Sequence, residues 1–315
     1  MTYIPFVCLG IGFCLGIFNK RKKFLDFSDR VSTISLAILM LGIGIGIGLD
    51  KTILNNMGRI GFNCFVVSVL AIIFSVIFTF LCEKTLLPLD KIDKKINEKN
   101  VELISSVNTE PENSTSLVWI MPICIIAGLV LGIFLRNMIG GGTVDMLITI
   151  CLVVLYICVG ISQGANNEVY QFIKELGWKI VFLSIAIMIG SILGGYIAGI
   201  ILNVPTFITT ISASGMSYYS VTGAFMSKTY GIEAGTYGFI VNAMREFVTV
   251  VSLPFLRKIS MGSPIAAGGS GNMDTMLAPV TKFVGIRLGL VTLVTGMILT
   301  IFVPFLLPIL AIVMK

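Results

Sequence analysis

The sequence returns repeatedly to apolar runs about as long as a helix needs to cross a bilayer, and no other feature limits the fold so tightly. The runs lie at about 3–18, 32–49, 60–82, 117–135, 144–163, 179–202, 232–256 and 285–313, and most approach the ~20 residues of a spanning helix. Inside lipid the backbone has to satisfy its own hydrogen bonds, so such runs become helices. With 56% hydrophobic and 12% charged residues and a mean hydropathy of +0.99, the expected fold is an all-α polytopic membrane protein with about eight transmembrane helices. The basic cluster of "MTYIPFVCLGIGFCLGIFNKRKK" follows its apolar run, the reverse of a secretory signal, which makes this a retained first span. The seven cysteines hold no CxxC and there is no histidine. Disulfides, zinc and cofactors are therefore not expected, and any proton chemistry falls to carboxylates.

The chain also repeats itself. Shifted by 116 residues, 12–50 aligns with 128–166 without a gap, and thirteen of the thirty-nine pairs are identical. "LGIF" at 15–18 recurs at 131–134, Asp29 falls on Asp145, and Asp50 falls on Asn166. Each unit holds three spans, an odd number, so the second copy is expected upside down relative to the first, an architecture of secondary transporters. The expected divisions are a first repeat at 1–82, a polar cytoplasmic linker at 83–116, the inverted repeat at 117–204, and a region at 205–315 carrying most of the site. Loops 19–30, 83–116 and 164–179 carry twelve Lys and Arg against three in 50–60, 136–143 and 203–204. The positive-inside rule then places both termini outside, and the net charge of +6 reflects topology rather than nucleic-acid binding.

Two further segments, 205–228 and 262–280, are moderately apolar but rich in Gly, Ser and Thr. If 205–228 enters and returns on the outer side, Arg257, Lys258, Lys282 and Arg287 fall inside, as the charge rule prefers. The second segment would then dip in from the opposite face. Irregular backbone at that depth is tolerated where it is buried in protein or lines a cavity, so both read as re-entrant or broken-helix elements meeting near the midplane.

"FIVNAMREFVTVVS" at 239–252 puts Arg245 and Glu246 in the middle of an apolar run. Gly235, Gly238, Asn242, Arg245, Glu246, Thr249 and Ser252 fall along one helical face, which must meet protein or water. Adjacent on a helix, Arg245 and Glu246 point about 100° apart and need separate partners. Ion pairs that only hold a bundle together are the plainer account; intramembrane charges more often mark a transport path. Asp50 follows the glycine ladder Gly42, Gly44, Gly46 and Gly48 and reads either as an interfacial helix-end charge or as a break point. "SASGMSYYSVTGAF" at 212–225 offers Tyr218, Tyr219, Ser220 and Thr222, either for close packing or as a broken helix coordinating a polar ligand. "AAGGSGNMDTML" at 266–277 is no P-loop, because no GK[ST] follows and Asp274 would repel phosphate. A tip with Gly271 and Asn272 offering N–H groups to a carboxylate, and Asp274 nearby for a cation, fits better.

With "SGMSYYSVTG" at 214–223, "NAMREF" at 242–247, "SGNMDTMLAP" at 270–279 and the paired "GLD" and "GAN" break points, nearly the whole chain resembles the LysO-type lysine exporter family. Tyr218 stands where a Trp is common in that family, and Asn272 where a Ser is common. The resemblance implies export of L-lysine and toxic lysine analogues from bacterial cells through the inner membrane, with essential intramembrane acids that map onto Asp50 and Glu246. The expected substrate site is Asp50, Asn166, Tyr218, Tyr219, Ser220, Asn242, Arg245, Glu246, Gly271, Asn272 and Asp274. No enzymatic activity is implied, and a homo-oligomer is compatible with it.

Lysine carries two ammonium groups and a carboxylate, so a dry site needs carboxylates for the amines and N–H donors for the acid. A carboxylate that holds a proton or an ammonium, but not both, enforces proton exchange. Two other readings stay open: a cation/proton antiporter or organic-anion carrier of similar architecture, the latter using Arg245 as ligand, and, more remotely, an intramembrane aspartyl protease built on Asp50 and Asp274.

Overall fold

The computed structural model describes residues 4–19, 21–87, 89, 112–135, 141–165 and 177–314; Asn166 and most of the 83–116 linker lie outside them. Helices, joined by turns and with no strand among the described residues, follow in the order α1 (Ile4–Phe18), α2 (Lys22–Leu49), α3 (Lys51–Asn55), α4 (Met57–Thr85), α5 (Glu112–Phe134), α6 (Gly141–Ala165), α7 (Ile180–Leu202), α8 (Thr206–Ala213), α9 (Tyr219–Tyr230), α10 (Ile232–Ile259), α11 (Ser263–Gly268), a 3-10 turn (Gly269–Met273), α12 (Leu277–Val284) and α13 (Ile286–Val313). Six of these helices are long and apolar enough to cross a membrane, and Phe6–Phe18 and Ile123–Phe134 are shorter apolar helices. α2 begins at Lys22, ten residues before the apolar run that announces it, because "KKFLDFSDRVST" continues the same helix into its polar end.

Glycine sets the closest crossings. A β-carbon at Gly12 would strike the Ile157 carbonyl and one at Gly16 the Ile161 carbonyl, fixing α1 against α6. Gly128 and Gly132 stand in the same way against the carbonyls of Leu41 and Ile45, fixing α5 against α2. Each of these contacts has its counterpart 116 residues along the chain, and the glycines are four apart, the small-xxx-small spacing that lets helix backbones touch. α7 runs antiparallel to α4, with Gly190 against Ser75 and Gly194 against Ala71.

These contacts settle the course of the two Gly/Ser-rich segments. α7 ends beside the start of α4, at the end of the bundle that carries Leu49. α10 begins there too, with Ile232 against Gly46 and Asn63 Nδ2 donating to Tyr237 Oη at 3.0 Å. The α8–α9 segment therefore leaves and returns at one end. At the other end, where Lys22 lies, the Gly262 N–H donates to Glu83 Oε2 at 3.3 Å and Arg257 Nε to the Phe283 carbonyl at 3.0 Å, so the α11–α12 segment starts and finishes there. α8, at eight residues, is only about 12 Å long and cannot reach across a ~30 Å core.

Candidate functional site

Where the two hairpins meet, the backbone is strained and tightly held. Met216 and Ser217 have φ of 48° and 79°, a left-handed conformation that costs non-glycine residues roughly 1–3 kcal/mol each and persists only where the surroundings impose it. Asn242, fully buried in α10, imposes it: its Oδ1 accepts from the Ser217 N–H at 2.8 Å, while its Nδ2 donates to the carbonyls of Ser212 at 2.8 Å and Gly238 at 2.7 Å. From the opposite hairpin, the N–H and hydroxyl of Ser270 both donate to the Met216 carbonyl, at 2.7 and 2.8 Å. Asn272 braces its own hairpin by donating from Nδ2 to the Ile265 carbonyl at 2.7 Å.

A cavity of about 210 Å³ opens beside this junction, with Glu246, Asp274, Tyr218, Tyr219, Ser220 and Gly271 among its lining residues. Thr275 donates its hydroxyl to Glu246 Oε1 at 2.9 Å, and a β-carbon at Gly271 would lie 3.0 Å from that oxygen, so glycine there lets the carboxylate approach the tip. Asp274 lines the same cavity as Glu246. Ser217 is among the lining residues, and its hydroxyl is buried with no hydrogen-bond partner. α9 starts at this wall, and its N-cap residue Tyr218 offers no side-chain cap. A helix cannot satisfy its own first N–H groups, and Tyr219 and Ser220 of the first turn of α9 line the cavity. No Lys or Arg is among the described lining residues.

The other expected residues lie elsewhere. Arg245, 1% exposed, turns away from the cavity. Its Nε donates to the Ala267 carbonyl at 3.0 Å, Nη2 to the Ala266 carbonyl at 2.9 Å and to Ser75 Oγ at 3.4 Å, and Nη1 to Ser191 Oγ at 2.7 Å. All these partners are neutral. Arg245, expected in the substrate site, is instead a guanidinium joining the α4–α7 crossing to the end of α11. Asp50 lies at the Leu49 end, exposed, where its carboxylate caps α3 by accepting from the N–H groups of Thr52 at 2.8 Å and Ile53 at 3.3 Å; it does not line the Glu246 cavity. Asn242 and Asn272 shape the tips rather than the cavity.

Sequence reasoning missed Ser32 and Thr33 of α2 and Thr300 of α13, which complete the walls. It also missed Ser75 and Ser191, whose hydroxyls lie 2.9 Å apart. The signal for the serines was in reach, since they differ by 116, the spacing of the duplication.

Two carboxylates lining one cavity in a bundle of apolar helices, where two broken segments from opposite ends meet, make sense in a protein that moves a polar solute across the bilayer: a multi-pass membrane transporter. Within that class the chain belongs to the lysine exporter LysO family, whose sequence profile matches residues 6–92 and 122–311. It is similar to the lysine exporter LysO of Escherichia coli, 26% identical over 155 residues, covering 49% of this chain and 52% of the relative, so the match spans about half of that relative's length. It is also similar to a Haemophilus influenzae protein described as a candidate lysine exporter, 24% identical over 186 residues, covering 58% of this chain and 92% of that one.

Proposed function

We propose that the protein exports L-lysine and related diamino acids across the bacterial inner membrane in exchange for protons. One observation carries this reading: the cavity is lined by Glu246 and Asp274 and by hydroxyls, with no basic side chain among its described lining residues. An enclosure of that composition favours a cation. The two acids receive the ammonium groups, and the uncapped start of α9 receives the carboxylate through its N–H groups. The family name and that of the Escherichia coli relative point to the same cargo. An organic-anion carrier would need a free cation at the cavity, and Arg245 is engaged elsewhere.

Outward movement of one positive charge against an inside-negative potential costs ~2.3 kcal/mol per 100 mV, and inward return of a proton cancels it. Glu246 enforces the exchange because it binds either an ammonium or a proton. Its Thr275 bond occupies one oxygen and leaves the other for the cargo. The matched contacts at 116-residue spacing support reading 1–82 and 117–204 as inverted repeats that rock about the 205–315 hairpins, with the Lys22 end inside, both termini outside and Asp50 at the outer mouth.

The test uses proteoliposomes loaded with lysine and acidified outside. The wild-type protein accelerates efflux, and Glu246→Gln brings it down to the rate of protein-free liposomes. Wild-type rates from Glu246→Gln would remove the exchange mechanism.

A further inference from the structure

We propose that the space around Asp29 is a second cation site, an antechamber where the substrate's ammonium group is held before it reaches Glu246 and Asp274. For the identity of its ligand this inference rests on the lysine reading above; for its charge selectivity it does not. A cavity of about 150 Å³ is lined by Asp29 of α2, by Cys158, Ser162 and Gln163 of α6, and by Met297 and Ile301 of α13. It shares Ser32, Tyr218, Met273 and Thr300 with the Glu246 cavity, so the two chambers adjoin through a common wall. The bulky members of that wall are Tyr218 and Met273, both from the strained tips, and movement of either tip joins the chambers.

The charge pattern is one-sided. Asp29 is the charged side chain among the described residues that line this chamber, and α6, α13 and both tips contribute neutral groups. An alkylammonium ion is the ligand such a site takes. A simpler role for Asp29, complementing the dipole of α2, does not suit its position. It is the eighth residue of the helix, past the first turn where that effect acts. The chamber lies towards the Lys22 end, on the side from which cargo arrives in the proposed topology. The aspartate is also one of the pairs kept identical in the duplication, with Asp145 at the equivalent sequence position, so a carboxylate recurs where each unit's second span begins.

Cys158 supplies a native reporter. In protein whose other cysteines are replaced by serine or alanine, held in nanodiscs, a cationic thiosulfonate (methanethiosulfonate ethylammonium) modifies Cys158 at least tenfold faster than its anionic sulfonate analogue. Asp29→Asn brings the ratio down to that of a free thiol, Asp29→Glu restores it, and millimolar lysine slows the cationic reagent in the presence of Asp29. In transport, Asp29→Asn raises the KM for lysine about tenfold with kcat unchanged, whereas Glu246→Gln removes proton-driven turnover. A ratio indifferent to Asp29→Asn overturns the antechamber, as does failure of the cationic reagent to reach Cys158, since a passage for lysine must admit a cation of about the same size. If the protein transports another cation and lysine neither protects Cys158 nor moves, the lysine reading falls while the cation site stands.

Discussion

Arg245 and Glu246 are neighbours with opposite duties, and their substitutions should separate cleanly. Removing the guanidinium with Arg245→Met leaves Ser75 and Ser191 able to bond each other, as they already do at 2.9 Å, but strands the buried carbonyls of Ala266 and Ala267. At about 1–3 kcal/mol for each unsatisfied group, the loss is about 2–6 kcal/mol, readable as a lowered thermal midpoint in detergent micelles; Arg245→Lys should fall between, since one ammonium cannot reach four acceptors in a planar fork. Glu246→Gln keeps an acceptor for Thr275 and should leave that midpoint nearly unchanged while proton-driven lysine efflux disappears. The pair was legible in the sequence because two charges inside an apolar run have no harmless explanation. Their partners were harder to see: a serine within a span looks like any small residue unless the 116-residue spacing that relates Ser75 to Ser191 is followed, and two carbonyls at the end of a helix leave no mark in a sequence. Asp50 shows the converse: its place after a glycine ladder was plain, yet whether it faced the cavity or capped the next helix depended on where α2 ends.

Among the helices, the GxxxG spacings of α1, α2, α5 and α6 mark backbones in contact. Replacing Gly132 with valine would push its side chain into the Ile45 carbonyl and the Gly48 backbone. With no side-chain end to give way, the helices must separate and lose packing along α2 and α5. The expected result is a midpoint lowered by several degrees and a smaller folded fraction on size-exclusion chromatography, whereas Gly10→Val, where nothing lies within 4 Å, should change neither. Apolar runs announced these helices well, though they understated α2 by ten residues because its start is polar. The course of the hairpins was legible only indirectly, through the charge rule. Their composition suits a packed span as well as a broken one, and the difference lies in long-range contacts such as Asn63 with Tyr237.

Across the whole molecule, Phe6 near the start of α1 and Phe305 near the end of α13 pack with ring centroids 6.3 Å apart, and Tyr230, just before α10 begins, reaches the Ala311 carbonyl at 3.5 Å. The start of α1 and the end of α13 therefore lie at the Leu49 end of the bundle. Alkaline phosphatase fused at either terminus should be active and a cytosolic reporter silent, with the reverse for fusions in the 83–116 linker. One-for-one exchange of a lysine cation for a proton also carries no net charge, so an imposed potassium diffusion potential should leave proton-driven lysine flux in proteoliposomes nearly unchanged.

The guanidinium at the α4–α7 crossing has a further consequence, for the order in which the chain is made. An arginine at the centre of a lone helix costs about 2.5–3.5 kcal/mol to place in a bilayer. Arg245 meets its acceptors only after α4 and α7 have crossed, bringing Ser75 to Ser191, and after α11, synthesised later still, has delivered the carbonyls of Ala266 and Ala267. As the chain emerges from the ribosome, α10 is therefore expected to wait at the translocon in contact with the earlier helices, and to commit to the membrane only once α11 has followed it.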